Sequence, residues 1–200
     1  MFRGFGFDRK ASASRKRSAE EADVKLVSRV VAGDLEAFEV LFRIYHPRLD
    51  RFLSLMTTRR AVVEEALNDT MFVVWRRSGT FNRQSKVSSW IFAIAYRTAL
   101  KALRTYDEPV ESVLDDELLS EDAGPEQQLM AGQTRSAVRR ALDALSVEQR
   151  SALVLTYFHD LPYAEIARIV DCPVDTVKTR VFHGRRRLRA MLQDDGGGRS

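Results

Sequence analysis

The sequence predicts an all-α protein made of two small helical domains joined by an acidic flexible linker. Apolar residues recur at helical spacing through residues 25–104 and again from about residue 126, and no useful stretch alternates with period two. Residues 25–104 carry 14 basic and 7 acidic side chains, whereas residues 105–134 carry 9 acidic side chains and no basic one. With 200 residues, the chain can form two small cores separated by a charged connection.

Five segments follow from these patterns. Residues 1–23 mix Arg, Lys, Ser, Ala and Gly without periodicity, which predicts a disordered basic arm. Residues 24–104 form the first helical domain, and residues 105–126, with their acidic side chains and two prolines, form the linker. Residues 127–193 form the second helical domain, and residues 194–200 are predicted to be a disordered tail.

Four helices are predicted in the first domain. Asp34 is a suitable N-cap for the second helix, and Pro47 marks a kink or a join within it. The third helix carries an apolar stripe that ends at Trp75. Residues 78–88 are polar and rich in turn formers, so they predict a loop before a fourth helix over about 88–104.

The second domain is also predicted to be helical. Ser146 and Gln149 fit a capping box, in which the hydroxyl and the amide side chain each satisfy a backbone donor of the other residue. Pro162 suits the first turn of a short helix, residues 171–173 interrupt the pattern, and a last helix covers about 174–192.

Residues 162–189 have the shape of a helix-turn-helix, with a short helix, a tight turn and a longer basic helix. The last helix is predicted to bury one apolar face, made of Val177, Val181, Gly184, Leu188 and Met191. Six basic side chains and one acidic side chain fall within residues 174–193. A basic helix of this kind fits the DNA major groove, about 12 Å wide. DNA contact is therefore favoured over the alternative of a merely solvated face.

Basic groups on the fourth helix and in the preceding loop form a second pattern. Arg97, Lys101 and Arg104 recur at helical spacing. The loop adds Arg83 and Lys86, with aromatic side chains close by in the sequence. Basic groups interleaved with aromatic rings suit an unstacked single strand, because charges hold phosphates and rings stack on bases. The residues alone are equally consistent with a solvated face above a core tryptophan.

The third helix carries an acidic face with one aromatic side chain, made of Glu64, Glu65, Asn68, Asp69 and Phe72. Such a face suits a protein partner better than DNA. Taken alone, the pattern is also that of an ordinary solvated surface.

Several functional classes are disfavoured by composition. No apolar run is long enough for a transmembrane helix, and the N-terminus lacks the apolar core of a secretory signal. Cys172 is the single cysteine, and the three histidines lie far apart, so neither a disulfide nor a metal site is expected. No catalytic set and no glycine-rich phosphate loop is present, so the sequence predicts a cytoplasmic protein that is not an enzyme and has no cofactor.

These segments, in this order, resemble the extracytoplasmic-function (ECF) group of bacterial sigma factors. Residues 61–75, AVVEEALNDTMFVVW, are similar to the core-binding helix of region two of this family, and residues 81–97 are similar to its promoter-melting segment. Residues 163–167, YAEIA, and 174–180, VDTVKTR, are similar to region four. The resemblance covers roughly residues 24–104 and 127–192 and implies a sigma factor that directs core RNA polymerase to promoters.

The resemblance implies roles for three groups of residues. Core-polymerase binding falls on Glu65, Asn68, Asp69 and Phe72. Recognition of the minus-ten element falls on Asn82, Arg83, Lys86, Trp90, Arg97, Lys101 and Arg104, with the loop 82–89 taking a flipped base. Recognition of the minus-thirty-five element falls on Lys178, Thr179, Arg180, Phe182, His183, Arg185 and Arg186. It also implies an anti-sigma partner, and an acidic linker that lies in a basic channel of the polymerase.

Three positions depart from the pattern of the family. Asp171 stands where relatives usually have Gly in the turn, Pro162 replaces a usual Ser, and His183 sits where Arg is common.

The alternative hypothesis is a helix-turn-helix regulator that never joins polymerase. Such a regulator would need only residues 127–192 and would leave the first domain unexplained.

Overall fold

The computed structural model describes residues 7–105 and 136–197, and its regular structure there is helical, as the sequence predicts. The first domain contains α1 (Phe7–Val31), α2 (Leu35–Met56), α3 (Arg60–Arg77), a 3₁₀ turn (Ser78–Thr80) and α4 (Val87–Thr105). The second contains α5, described over residues 136–143, then α6 (Val147–Tyr157), α7 (Tyr163–Ile169) and α8 (Val174–Gly197).

The N-terminal segment differs from the prediction. Instead of a disordered arm over residues 1–23, α1 begins at Phe7 and continues to Val31. Val27 and Val30 are buried in the core, which anchors the C-terminal half of the helix. The residues upstream are rich in Ala, Lys, Arg and Glu, which propagate an existing helix at little cost. Residues 1–6 lie outside the described part of the chain.

The C-terminal tail is also shorter than predicted, because α8 continues through Gly197 and takes up residues 194–197 of the predicted disordered tail. Each residue added to a nucleated helix gains a backbone hydrogen bond, and here that gain is set against the poor helix propensity of Gly196 and Gly197. The acidic linker, from residue 106 onward, lies outside the described residues, as do 127–135 and 198–200.

The connection from α1 to α2 follows from its sequence. Gly33 has φ +85°, a conformation that glycine adopts without a steric penalty. Asp34 then caps α2 by accepting a hydrogen bond from the backbone N–H of Ala37 (3.1 Å), which confirms the predicted N-cap. Pro47 does not mark a join, because α2 continues through it. A proline inside a helix removes one backbone donor, and packing on both sides of Pro47 holds the helix together.

Tyr45 ties α2 to α1. Its side chain is fully buried, and its hydroxyl donates a hydrogen bond of 2.5 Å to the carboxylate of Asp23. Burial raises the pKa of the Tyr45 phenol, so the hydroxyl keeps its proton and remains a donor. Burial also raises the pKa of Asp23, while the bond from Tyr45 opposes that shift.

Replacing Tyr45 with Phe should lower the free energy of unfolding by about 1–2 kcal/mol, because the Asp23 carboxylate would keep its partly buried position without its donor. Urea denaturation followed by circular dichroism measures the difference. Tyr157→Phe is the matched control, since Tyr157 is 57% exposed and should change stability little. Equal effects of the two variants would contradict the role of the Tyr45 hydroxyl.

The second domain is packed closely. Gly184 allows α8 to approach α6, since a Cβ there would lie 3.0 Å from Cδ1 of Leu153. Ser146 caps α6 by accepting from the N–H of Gln149 (3.3 Å). The reciprocal half of the predicted capping box is absent, because the Oε1 atom of Gln149 is buried without a hydrogen-bond partner.

The two domains pack against each other and share one hydrophobic core. Helix α7 lies on α4, and α6 lies on the end of α2. At that end, Arg150 donates to the carbonyl of Met56 (2.7 Å), and Arg139 donates to the carbonyl of Ser54. The last carbonyls of a helix have no partner within the helix, so these guanidinium groups complete α2 from the other domain.

Candidate nucleic-acid interface and protein-binding surface

Helices α7 and α8 form the predicted helix-turn-helix. Asp171 occupies the turn with φ 51°, the left-handed conformation that Asp tolerates better than most residues. The backbone N–H of Cys172 donates to the carbonyl of Ala167 (3.0 Å) and closes the turn. Val177 and Val181 are buried, and they fix which face of α8 is presented outward.

Most of the residues predicted to contact the minus-thirty-five element share the outward face of α8. The exposed members are Lys178, Thr179, Phe182, His183, Arg185 and Arg186. Phe182 is 54% exposed, although large apolar side chains usually lie inside. The face therefore presents cations, a hydroxyl and an aromatic ring together, as base and phosphate contacts require.

Lys178 and Arg180 differ in their present partners. The Nζ atom of Lys178 lies 2.9 Å from Oδ1 of Asp175, one turn earlier, and this pair raises the pKa of Lys178. Both side chains are well exposed, so a phosphate or a base could displace the pair at little cost. Arg180 is only half-exposed, and its guanidinium lies 3.5 Å from Sγ of Cys172. Arg180 therefore lies apart from the exposed group.

The basic stripe on α4 is exposed as a unit. Arg97, Lys101 and Arg104 are exposed and line a shallow open groove of about 430 Å³, whose other lining residues, Leu100 and Thr105, also belong to α4. The opposite face of α4 is buried, and Ile91, Phe92 and Ala95 are each 0% exposed. These contacts fix the orientation of α4, so the three cations share one exposed face of the helix. An extended anion could lie along that face.

The loop before α4 contains a local hydrogen bond and a residue in the left-handed conformation. The side chain of Asn82 accepts from the backbone N–H of Gln84 (3.1 Å), and Arg83 has φ 61°. Trp90 is half-buried against Phe81, with ring centroids 5.5 Å apart. The tryptophan is thus part of the packing and also borders the loop.

The loop is shorter than predicted. Helix α4 begins at Val87, so Ser88 and Ser89 of the predicted loop 82–89 are helical and buried. Ser89 donates a hydrogen bond of 2.8 Å to the carboxylate of Glu165 in α7, and Lys86 pairs with the other oxygen of the same carboxylate. Sequence reasoning missed Glu165 as a site residue, because a contact across 76 positions leaves no local pattern.

The acidic face of α3 remains open in the described structure. Glu65 and Asp69 are partly exposed, and Asn68 is exposed. Phe72 is 62% exposed, with the guanidinium of Arg76 5.8 Å from its ring centre. The predicted protein-binding residues therefore form one surface with an aromatic centre and acidic neighbours, as protein interfaces often do.

Two negative observations concern residues 7–105 and 136–197. No group of three or more His, Cys, Asp or Glu side chains there could hold a metal ion. None of the helices in those ranges is long and apolar enough to cross a membrane.

Comparison with known proteins identifies both domains. The family model "Sigma-70 region 2" matches residues 41–108, and "Sigma-70, region 4" matches residues 135–188. We call the two domains region two and region four from here on. The ECF RNA polymerase sigma factor SigM of Mycobacterium tuberculosis is 34% identical over 173 residues, which cover 86% of each chain. The RNA polymerase sigma-H factor of Pseudomonas aeruginosa is 28% identical and covers 87% of this chain and 95% of its own length.

Solved structures share the fold. CnrH, in complex with the cytosolic domain of CnrY, has a TM-score of 0.65 at 20% identity and covers 87% of this chain and 99% of its own. The sigma factor RpoE of Bartonella quintana, in complex with the anti-sigma factor NepR, has a TM-score of 0.61 at 23% identity and covers 78% of this chain and 96% of its own. The two sigma-70 regions and the similarity to SigM along most of both chains lead to one conclusion: this chain belongs to the extracytoplasmic-function group of the sigma-70 family.

Proposed function

We propose that the chain is an RNA polymerase sigma factor that directs core polymerase to specific promoters and helps to open them. The observation that carries this proposal is the similarity to sigma factors across both regions, 41–108 and 135–188, rather than across the helix-turn-helix alone. A regulator that never joins polymerase would require only region four. The exposed acidic face of α3 and the basic groove of α4 would then have no role.

Region two supplies two of the proposed surfaces. Glu65, Asn68, Asp69 and Phe72 contact the coiled coil of the largest polymerase subunit, which is the role that the family resemblance gives to α3. The groove along α4 holds phosphates of the separating strands, because its cations are exposed and share one direction. The loop from Asn82 to Lys86 lies beside Trp90 and borders the place for an unstacked base.

Region four supplies the third surface. Lys178, Thr179, Phe182 and His183 read the minus-thirty-five element in the major groove, and Arg185 and Arg186 contact phosphates. Arg180 must turn away from Cys172 before it can contact DNA.

The remaining partner is an anti-sigma factor. RpoE of Bartonella quintana, which has the same fold, was solved in complex with the anti-sigma factor NepR. CnrH, which also has this fold, was solved in complex with the cytosolic domain of CnrY. The chain itself binds promoter DNA and orients core polymerase on it, and the polymerase carries out RNA synthesis.

The chain therefore acts in the cytoplasm, where polymerase meets the chromosome.

The proposal is tested by mixing the purified chain with core RNA polymerase freed of sigma. We expect a stable complex that initiates at a defined set of genomic fragments, while core alone initiates without selection. Failure to bind core, in a sample whose circular dichroism shows the helical fold, would overturn the proposal.

Lys178→Ala should weaken binding of the polymerase complex to a duplex selected by that complex by about five- to fiftyfold, the effect of losing one base contact. Binding to a random duplex should fall much less. Electrophoretic mobility shifts at fixed salt measure both affinities. Lys25→Ala is the control, since Lys25 is an exposed lysine on α1. An equal loss of affinity for both duplexes would show that Lys178 contacts phosphate and does not read a base.

A further inference from the structure

The first turn of α4 receives its capping group from another helix. Lys86 stands at the N-cap position, because its carbonyl accepts from the backbone N–H of Trp90 (3.0 Å) and the helix begins at the next residue. A lysine side chain has no acceptor, and its charge is unfavourable at the positive end of the helix dipole. The carboxylate of Glu20 on α1 supplies the acceptor instead, and the backbone N–H of Val87 donates to it at 2.7 Å.

The local sequence favours a later start of this helix. Ser88 and Ser89 are of a residue type that caps a helix well when it stands just before the first turn. Sequence patterns accordingly predicted the fourth helix from about residue 88, whereas in the structure both serines are helical and buried. The hydrogen bond from Val87 to Glu20 stabilises the earlier start, which local residues alone do not favour.

Helix α1 contacts the loop before α4 close to both of its ends. Besides the bond from Val87 to Glu20, the guanidinium of Arg83 lies 3.4 Å from the hydroxyl oxygen of Ser28 on α1. The Glu20 side chain is half-buried. Burial raises the pKa of Glu20, and the bond from Val87 opposes that rise by stabilising the charged form. The acceptor and the start of α4 therefore stabilise each other.

We propose that Glu20 is a positioning residue for the minus-ten surface, which consists of the loop before α4 and the basic stripe of α4. By capping α4 at Val87, Glu20 fixes where the loop ends and keeps Lys86 one helical turn from Trp90. This inference rests on the proposed function, because that function assigns a DNA strand to the surface. With a later helix start, the strand would have to order this segment as it binds, which would lower its affinity. Glu20 acts through the backbone of Val87 and needs no contact with the strand.

Strand binding by the assembled polymerase tests the role of Glu20. Each variant is bound to core polymerase, and its affinity is measured for a fluorescent single-stranded oligodeoxynucleotide taken from a promoter that the complex selects. Glu20→Ala should lower this affinity by about three- to thirtyfold, the range expected for a lost helix cap. Glu20→Gln keeps an acceptor oxygen and should recover most of the loss. Glu21→Ala, at the exposed neighbouring position, is the matched control and should bind the strand normally.

Two further affinities separate positioning from general damage to the fold. The affinity for core polymerase should be the same for Glu20→Ala and Glu21→Ala. The affinity of the assembled polymerase for a duplex that carries only the minus-thirty-five part of the promoter should also be the same. Equal losses in all three measurements would show a merely structural role and overturn the proposal, as would an unchanged affinity of Glu20→Ala for the strand.

Hydrogen exchange at the Val87 amide, followed by NMR on the free chain, measures the cap without polymerase. Exchange should be at least about fivefold faster in Glu20→Ala than in Glu21→Ala, because the amide loses its acceptor. Equal exchange rates would show that Glu20 does not hold the start of α4 and would overturn the proposal. Failure of the unchanged protein to bind core polymerase would instead overturn the proposed function, and with it the assignment of a strand to this surface.

Discussion

A chain carrying both Glu65→Lys and Asp69→Lys should lose about 100-fold or more of its affinity for core RNA polymerase. The two positions lie one turn apart on α3 beside Phe72, which is 62% exposed at the centre of the proposed contact. A partner surface that binds these two carboxylates carries positive charge. Replacing both carboxylates with lysines places positive charges against that surface, which costs several kcal/mol. Gel filtration or surface-immobilised core polymerase measures the loss.

The fold should survive this change, because both side chains are partly exposed and neither has a hydrogen bond that the core requires. Glu36→Lys with Glu39→Lys is the matched control, since it reverses two exposed charges on α2. If the α3 variant still binds core as tightly as the control, the core-binding surface lies elsewhere on the molecule.

The second large effect is a loss of stability on mild acidification, caused by His159. Burial, helped by the positive charges of Arg48 and Arg51 on α2, lowers the pKa of His159 to about 4. In the unfolded chain the imidazole titrates near 6.5. The neutral ring between Phe52 and Phe92 therefore contributes its full stability above pH 6.5, and that contribution falls as pH drops toward 4.

Between pH 6.5 and pH 5, this group should reduce the free energy of unfolding by about 1–2 kcal/mol, allowing for its partial exposure. Urea denaturation at the two pH values measures the change. His159→Phe keeps an aromatic ring in the slot and removes the titration, so its stability should vary less with pH. Asp23 and Glu20 act in the opposite direction, because burial raises the pKa of each, and the comparison with His159→Phe cancels their contribution. The same pH dependence in both proteins would exclude His159 as its source.

Local patterns in the sequence were sufficient for much of the fold. Asp34 and Ser146 were predicted as helix caps, and both accept the expected backbone hydrogen bond. Asp171 was placed in the turn, at the position where relatives usually have Gly, and its φ is 51°. Each of these features depends on neighbours within three or four positions, which is the range that sequence patterns report well.

Long-range contacts were not predictable in the same way. The pairing of Glu165 with Lys86 and the insertion of His159 between two phenylalanines join residues far apart in the chain. No periodicity marks such partners. The early start of α1 was missed because its polar, charged residues lack an apolar stripe, although they are good helix formers.

The guanidinium groups at the end of α2 affect how the protein can be divided. The carbonyls of Ser54 and Met56 belong to region two, but the donors that satisfy them, Arg139 and Arg150, belong to region four. A fragment that ends near Thr105 would keep every residue of α2 but lose both donors. The carbonyls in the last turn of α2 would then be hydrogen-bonded only by water. The boundary that separates the regions along the chain therefore cuts through a shared hydrogen-bond network, and the last carbonyls of α2 depend on donors that lie beyond that boundary.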